Sequence, residues 1–439
     1  MKLREKRQTM MSAAVLASAL LFGGPCAKAQ WEPVVLHHGV WGLYVTPSGN
    51  ILYADYRFDG SGGIYTSTDG GATFEKTFDK DHTYNRFYQF GELIYATGNG
   101  AKIARSDNDG KTWALLDYST PDGEEITDAE YTACYGMAEK DERLYLADFG
   151  AGILYSDDYG DTWHFTDRVS LAKACGGTGE KDEKGNLFTE NFYTPYVFKD
   201  KVYEFGANYI CRYDEDKDQW SRVRAGSNFM VSLAERNDTL FCGRSVDDYN
   251  LGNPFLQYTT DGETWTPVGR PEGQANNYVR SLVVHDNLLF VGHIRDGVYV
   301  SDDGGATYVT VNEGLPVLSQ VSDIYLPPLE MVVTDDYLYA SLFDAPDDAT
   351  KGGLYRFPLS QLPSHINEVK ATFGKVRFSE GSLVLDGTAD KVEIYDLAGA
   401  SRLTASHTSR VDLASLPSGT YVYKVVKGKD SMKGKIAKP

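Results

Sequence analysis

Five arginines and three aromatic residues are the side chains of this sequence best suited to chemistry: Arg57, Arg86, Arg244, Arg280 and Arg295, with Tyr56, Phe149 and Tyr249. A guanidinium presents a planar fork of donors that matches a carboxylate or a sulfate. An aromatic face stacks on a sugar ring. Together they describe recognition of an anionic ligand rather than a reaction. The competing use is surface pairing with Asp55, Asp59, Asp148, Asp247, Asp248 and Asp296, which lie close to them in sequence. No H-E-x-x-H, nucleophile elbow or phosphate loop occurs. Cys134, Cys175, Cys211 and Cys242 include no C-x-x-C pair, which excludes a zinc ribbon and a thioredoxin-type site. They leave three disulfide connectivities open, beside four buried thiols. No cofactor and no metal are expected.

The elements that carry these residues are repeats. Ser67-Thr68-Asp69-Gly70-Gly71-Ala72-Thr73-Phe74 returns as Ser106-Asp107-Asn108-Asp109-Gly110-Lys111-Thr112-Trp113. It returns again from Ser156 to Trp163 and from Ser301 to Tyr308, and one residue shorter from Thr259 to Trp265. The pattern S-x-D-x-G-x-T-aromatic is that of a turn. The carboxylate accepts from backbone N–H groups of its own loop, a glycine takes positive φ, and the ring drops back into the core. Asp69, Asn108, Asp158, Asp261 and Asp303 are therefore expected to be structural, since one repeated hairpin cannot gather five catalysts in one pocket.

The boxes start 39, 50, 103 and 42 residues apart, and the double gap holds one unit with a decayed box around Tyr203 to Trp220. A further decayed unit follows the last box, from Tyr337 to Phe357. Seven units of about forty to fifty residues have the length of four-stranded propeller blades. The pattern resembles the Asp-box of the bacterial neuraminidase repeat, shared by sialidases, sortilin-type receptor domains, xyloglucan hydrolases and photosystem assembly factors. That resemblance implies a seven-bladed β-propeller over residues 30–365. In such a blade the box lies at the bottom, between third and fourth strands. The turns from second to third strand, and from blade to blade, open on the top. There the long segments Asp55 to Gly62, Arg244 to Pro254 and Phe343 to Gly352 bring the arginines and aromatics.

The chain changes character after Ser364. Residues 366–439 carry 12 Lys or Arg against 8 Asp or Glu, in a protein whose net charge is −19. Alternating strands and turns there predict a small β-sandwich. Val392 to Gly399, Val411 to Tyr421 and Lys433 to Ile436 resemble the C-terminal type A sorting domain of the type IX secretion system, without its usual Pro-Asn-Pro start. The resemblance implies a Bacteroidetes-type bacterium, export through the outer membrane and removal of the tail. At the other end, Lys2, Arg4, Lys6 and Arg7 precede an apolar run from Met11 to Phe22 and the small residues of Ala27-Lys28-Ala29. Residues 1–29 thus read as a secretory signal peptide. Pro25 directly before Cys26 fits a lipid-attachment site poorly, and no later stretch is long or apolar enough for a membrane helix.

Composition narrows the function. The excess of 62 acidic over 43 basic residues repels a phosphate backbone and excludes general nucleic-acid binding. A sialidase-type enzyme would show an Arg-Ile-Pro triplet near its first blade; here the one Arg-Pro pair is Arg270-Pro271. A xyloglucan hydrolase needs two propellers, and this chain has length for one. The expected function is a non-catalytic, secreted or cell-surface binding protein for a glycan or a surface protein. The alternative is an exo-glycosidase of sialidase type with a divergent site. A scaffold or assembly factor is the third class.

Overall fold

The computed structural model describes residues 30–438 except 37–38, 56–61, 80–82, 127–132, 182, 184–186, 189–190, 207, 226–231, 245–249, 251, 275, 318–323, 343–350, 363–375, 380, 397–399 and 428–429. Among the described residues strands dominate, arranged as seven four-stranded antiparallel sheets and one five-stranded sheet. The fold is the expected all-β propeller. Blade one runs outward through Val40–Val45, Ile51–Asp55, Gly63–Ser67 and Glu75–Phe78. The innermost strands of blades two to seven are Tyr84–Phe90, Cys134–Lys140, Thr194–Phe198, Ser232–Arg236, Val279–His285 and Pro328–Val333. The innermost strand of blade seven packs beside that of blade one, which closes the ring.

Second strands are the most deeply buried. Ile51–Asp55 is buried at every position, because each sheet is covered on both faces by its neighbours. The core therefore lies between blades: Leu52, Ala54 and Ile64 of blade one pack on Tyr84, Phe87 and Ile94 of blade two.

Each box forms the turn from third to fourth strand. In blade three, Asp158 accepts from the Thr162 N–H at 2.8 Å and from its hydroxyl at 2.6 Å. Ser156 donates to the same carboxylate and accepts the Gly160 N–H. Gly160 has φ 93°, and Leu116 and the Trp163 ring stand over the place a Cβ would take. Trp163 is buried and donates to the Gly160 carbonyl at 3.0 Å. The boxes starting at Ser67 and Ser301 repeat the same bonds to Asp69 and Asp303. Asn108 replaces the carboxylate with an amide that accepts the Thr112 N–H and donates to its hydroxyl. These contacts hold Asp69, Asp158, Asp261 and Asp303 below the usual carboxylate range; for Asp69 the Thr73 hydroxyl is the main cause.

Blades four and seven lack the box for different reasons. In blade four, Trp220 takes the place of the box tryptophan, stacked on Tyr213 at 4.9 Å. Its turn is held by an inserted helix, α1 (Arg168–Ala174), whose N-cap Asp167 donates its N–H to Asp218 at 2.9 Å. Blade seven has no turn from third to fourth strand at all. Its fourth strand is Glu32–Leu36, from the start of the described chain, paired antiparallel with Gly353–Pro358. The unit read as decayed is a blade completed from the other end of the protein.

The expected small β-sandwich takes the form of one sheet whose long strand Ser382–Tyr395 pairs with several partners. Leu383, Val392, Ile394, Leu413, Val425 and Ile436 form its core. The motifs of this segment thus supply core residues.

Candidate functional site

The innermost strands enclose a cavity of about 360 Å³ on the ring axis, lined by six of the seven strands. Its polar walls are Arg86, Tyr88, Glu139, Tyr196, Arg280 and Glu330. Local backbone geometry delivers them. Five innermost strands break register with their second strands near their first residues: at Val40/Leu43, Tyr84/Arg86, Cys134/Gly136, Val279/Ser281 and Pro328/Glu330. A bulge inserts a residue and re-aims its neighbours, here where the strands enter from the upper loops. Arg280 lies within its break; Arg86 and Glu330 directly follow theirs.

The three charges belong to one group. Arg86 interacts electrostatically with Tyr88, and both Arg86 and Arg280 do so with Glu330. Burial works against the Arg86 cation, but Tyr88 and Glu330 more than offset it. For Arg280 burial prevails, reinforced by the like charge of Arg86, and its guanidinium is held below its ordinary value. Burial pushes the Glu330 carboxyl up to about 7, against the opposing pull of Arg86, Arg280 and the Leu43 N–H, which donates at 3.3 Å. Two guanidinium groups therefore share one carboxyl whose burial favours its protonated form. Such a group can accept a ligand carboxylate or sulfate in place of that counter-charge.

An aromatic platform stands beside it. Tyr135, Phe149 and Tyr193 form a triangle with ring centroids 5.6–5.8 Å apart. Tyr135 carries the platform toward the arginines: it lies within electrostatic reach of Arg86, and its carbonyl accepts the Tyr88 hydroxyl at 3.0 Å. Tyr193 is anchored from below, its N–H donating to Glu204 at 2.8 Å. Glu204 is fully buried, and desolvation pushes its carboxyl up to about 8.

Of the residues singled out by sequence, the structure brings Arg86 and Arg280 together in the cavity wall, and Phe149 packs on Tyr135 outside the cavity lining. Arg244 is buried between blades five and six, where its carbonyl accepts the Val279 N–H at 2.6 Å. Arg295 lies in the upper loop of blade six, its N–H donating to His293; neither lines the cavity. Tyr56, Arg57 and Tyr249, with Asp59, Asp247 and Asp248, lie outside the described residues. The remaining acids hold their own loops. Asp55 accepts the Gly39 N–H, and Asp148 accepts from Gly150, Ala151 and the Tyr118 hydroxyl. Asp296 pairs with the buried His293 at 3.0 Å. Sequence reasoning missed Glu330, Tyr88, Tyr135 and Tyr193. For Glu330 the available signal was a charged residue at the third position of an apolar strand; the three tyrosines carried none. Among the described residues no cluster of metal-ligating side chains occurs, and no helix is long and apolar enough to cross a membrane.

No protein-family model and no curated protein sequence matches the chain. Solved structures do. YCF48 from Cyanidioschyzon merolae superposes with a TM-score of 0.51 at 14% identity, over 75% of this chain and 98% of that one. Virginiamycin B lyase from Staphylococcus aureus gives 0.52 at 12%, over 76% and 99%. An extracellular domain assigned to a hybrid two component system in B. thetaiotaomicron gives 0.51 at 12%, over 94% of this chain and 59% of that one. These likenesses establish the propeller fold. They carry no activity across, since the same fold serves several.

Proposed function

We propose that this propeller is a non-catalytic binding protein of the bacterial surface or medium, and that its ligand presents an anionic group to the mouth of the central cavity. The observation that carries this is the convergence of Arg86 and Arg280, from separate blades, on one carboxyl beside three aromatic rings. Guanidinium forks suit the acid group of an acidic glycan, and the rings suit its sugar faces. The extracellular propeller among the structural neighbours is consistent with such a role.

The sorting resemblance of the C-terminal sheet supports delivery by the type IX secretion machinery, after signal-peptide cleavage. Intact-mass measurement of protein from the outer membrane or medium tests this: both ends are expected to be gone. Peptides spanning Lys433 to Lys438 in the surface form would contradict it.

Glu330 favours the alternative of a sialidase-type hydrolase, because a carboxyl near 7 beside arginines resembles a general acid. A glycan array on the propeller, run beside a fluorogenic sialoside assay, separates the two. Acidic glycans retained without turnover support binding; rapid turnover of the sialoside reverses the order.

A further inference from the structure

The insertion between blades three and four places two cysteines together. Helix α1 ends at Ala174, and Cys175 is its C-cap, with its N–H bonded to Leu171 and Lys173. The Ala174 carbonyl accepts the Arg222 Nε–H at 2.5 Å. Arg222 is the cross-strand partner of Cys211 in blade four, so side chains at these positions share one face of the sheet. The bond that holds Ala174 on that face therefore brings the next residue over Cys211. Cys175 packs against the core cluster that holds Cys211 and Tyr209, close enough for the three groups to interact electrostatically. Cys211 is fully buried; Cys175 is half-exposed at the end of the helix. Cys134 and Cys242 pack in two other core clusters.

We propose that Cys175 and Cys211 are a disulfide-forming pair, closed once the chain meets an oxidising compartment. The proposal rests on the export reading only for when closure occurs. Its chemistry balances with a small-molecule disulfide as oxidant. The Cys175 thiolate attacks that disulfide, forms a mixed disulfide and releases one thiol. Cys211 then gives up its proton as its sulfur attacks the Cys175 sulfur and expels the second thiol. Two cysteine thiols are oxidised, the reagent is reduced to two thiols, and the two protons leave with them. The neighbouring Cys175 thiol and burial keep Cys211 protonated, so the partly exposed Cys175 makes the first attack.

The bond would join α1 to the third strand of blade four across the segment that delivers Phe192 and Tyr193. Phe192 packs on Tyr209, and Tyr209 donates to Asn191 at 3.1 Å. The clamp thereby fixes the segment leading into the aromatic platform, mainly by removing freedom from the unfolded chain.

The full chain, purified reduced and incubated with oxidised glutathione, tests this. It is then unfolded in an alkylating reagent without reductant and mapped by proteolysis and mass spectrometry. A cross-linked peptide joining Cys175 to Cys211 is expected, with Cys134 and Cys242 alkylated. The melting temperature should rise by several degrees on oxidation, and Cys175→Ser and Cys211→Ser should each abolish that rise. Alkylation of both residues after the oxidant, or glutathione left standing on Cys175, would overturn the pair. Closure in vitro combined with free thiols in protein recovered from the cell surface would overturn its use after export.

Discussion

On the lower face, Asp69, Asp158 and Asp303 repeat one set of hydrogen bonds to a serine two residues before and a threonine four residues after. At the upper mouth, the position that follows the register break is Arg86 in blade two, Gly136 in blade three, Ser281 in blade six and Glu330 in blade seven. One surface satisfies the same backbone demand in each blade that carries a box. The other varies with each blade while the strands beneath it stay alike. Repetition in a ring reports what the fold requires; its failure at equivalent positions reports where the ring meets something else. The boxes also tie blades together. The Tyr159 carbonyl accepts from Tyr95 and Arg105 of the preceding blade at 2.8 Å, and the Gly110 carbonyl accepts from Thr66.

If this contrast is right, lower-face changes cost stability and upper-face changes cost affinity. The largest stability loss is expected for Trp163→Ala, about 3–5 kcal/mol from an emptied core site, read by denaturant unfolding. A melting temperature unchanged by this substitution would break the contrast outright.

Glu204 sharpens it, as a buried group under the upper platform. Its folded value of about 8 lies above the ordinary 4.5, so the native state holds a proton that the unfolded chain has released. Its contribution is present below the lower value and is lost as pH rises between the two. Glu204→Gln should therefore flatten the fall in stability from pH 5 to 8, an effect on the order of a few kcal/mol. Parallel pH profiles for the variant and the parent would show the carboxyl ionised in the folded state.

A smaller loss, about 1–2 kcal/mol, is expected for Asp158→Ala through unsatisfied turn donors, with ligand retention on a glycan array unchanged. Loss of binding at an unchanged melting temperature would move the lower face into function. The smallest stability effect, under about 1 kcal/mol, is expected for Arg86→Ala combined with Arg280→Ala, since burial disfavours both cations and Glu330 can take up a proton once they are gone. The same double variant should lose acidic-glycan binding at least tenfold. Unchanged affinity would remove the cavity mouth from the account.

The ring itself was legible because its signal is local. A box needs a serine, an acid, a glycine and an aromatic residue within eight positions, so a single stretch of chain displays the whole device. Closure of blade seven was not legible. Glu32 and Arg356 meet 324 residues apart in sequence, and no short pattern in Glu32–Leu36 names its partner. The site divides the same way. Arg86, Arg280 and Phe149 stood out by residue type in an acidic chain. Glu330 reads as one polar residue in the apolar run of Pro328–Val333, and Tyr135 and Tyr193 are two of 30 tyrosines. What gathers Arg86, Tyr135, Arg280 and Glu330 is the bulged entry of their inner strands, set by pairing with a neighbour rather than by local sequence.

The strand that completes blade seven also sets the order of events in folding. Its root is fixed by Trp31, which is buried and bonds the Val311 and Glu313 carbonyls. None of these partners exists until blade six has been synthesised, and Gly353–Pro358 comes later still. Six blades can accumulate one by one through short-range hairpins, but the seam must wait and then close a loop of more than 300 residues. An unsealed ring leaves the outer edge of Gly353–Pro358 unpaired, a template for pairing with another chain. The interval before sealing is therefore when this protein is most open to aggregation.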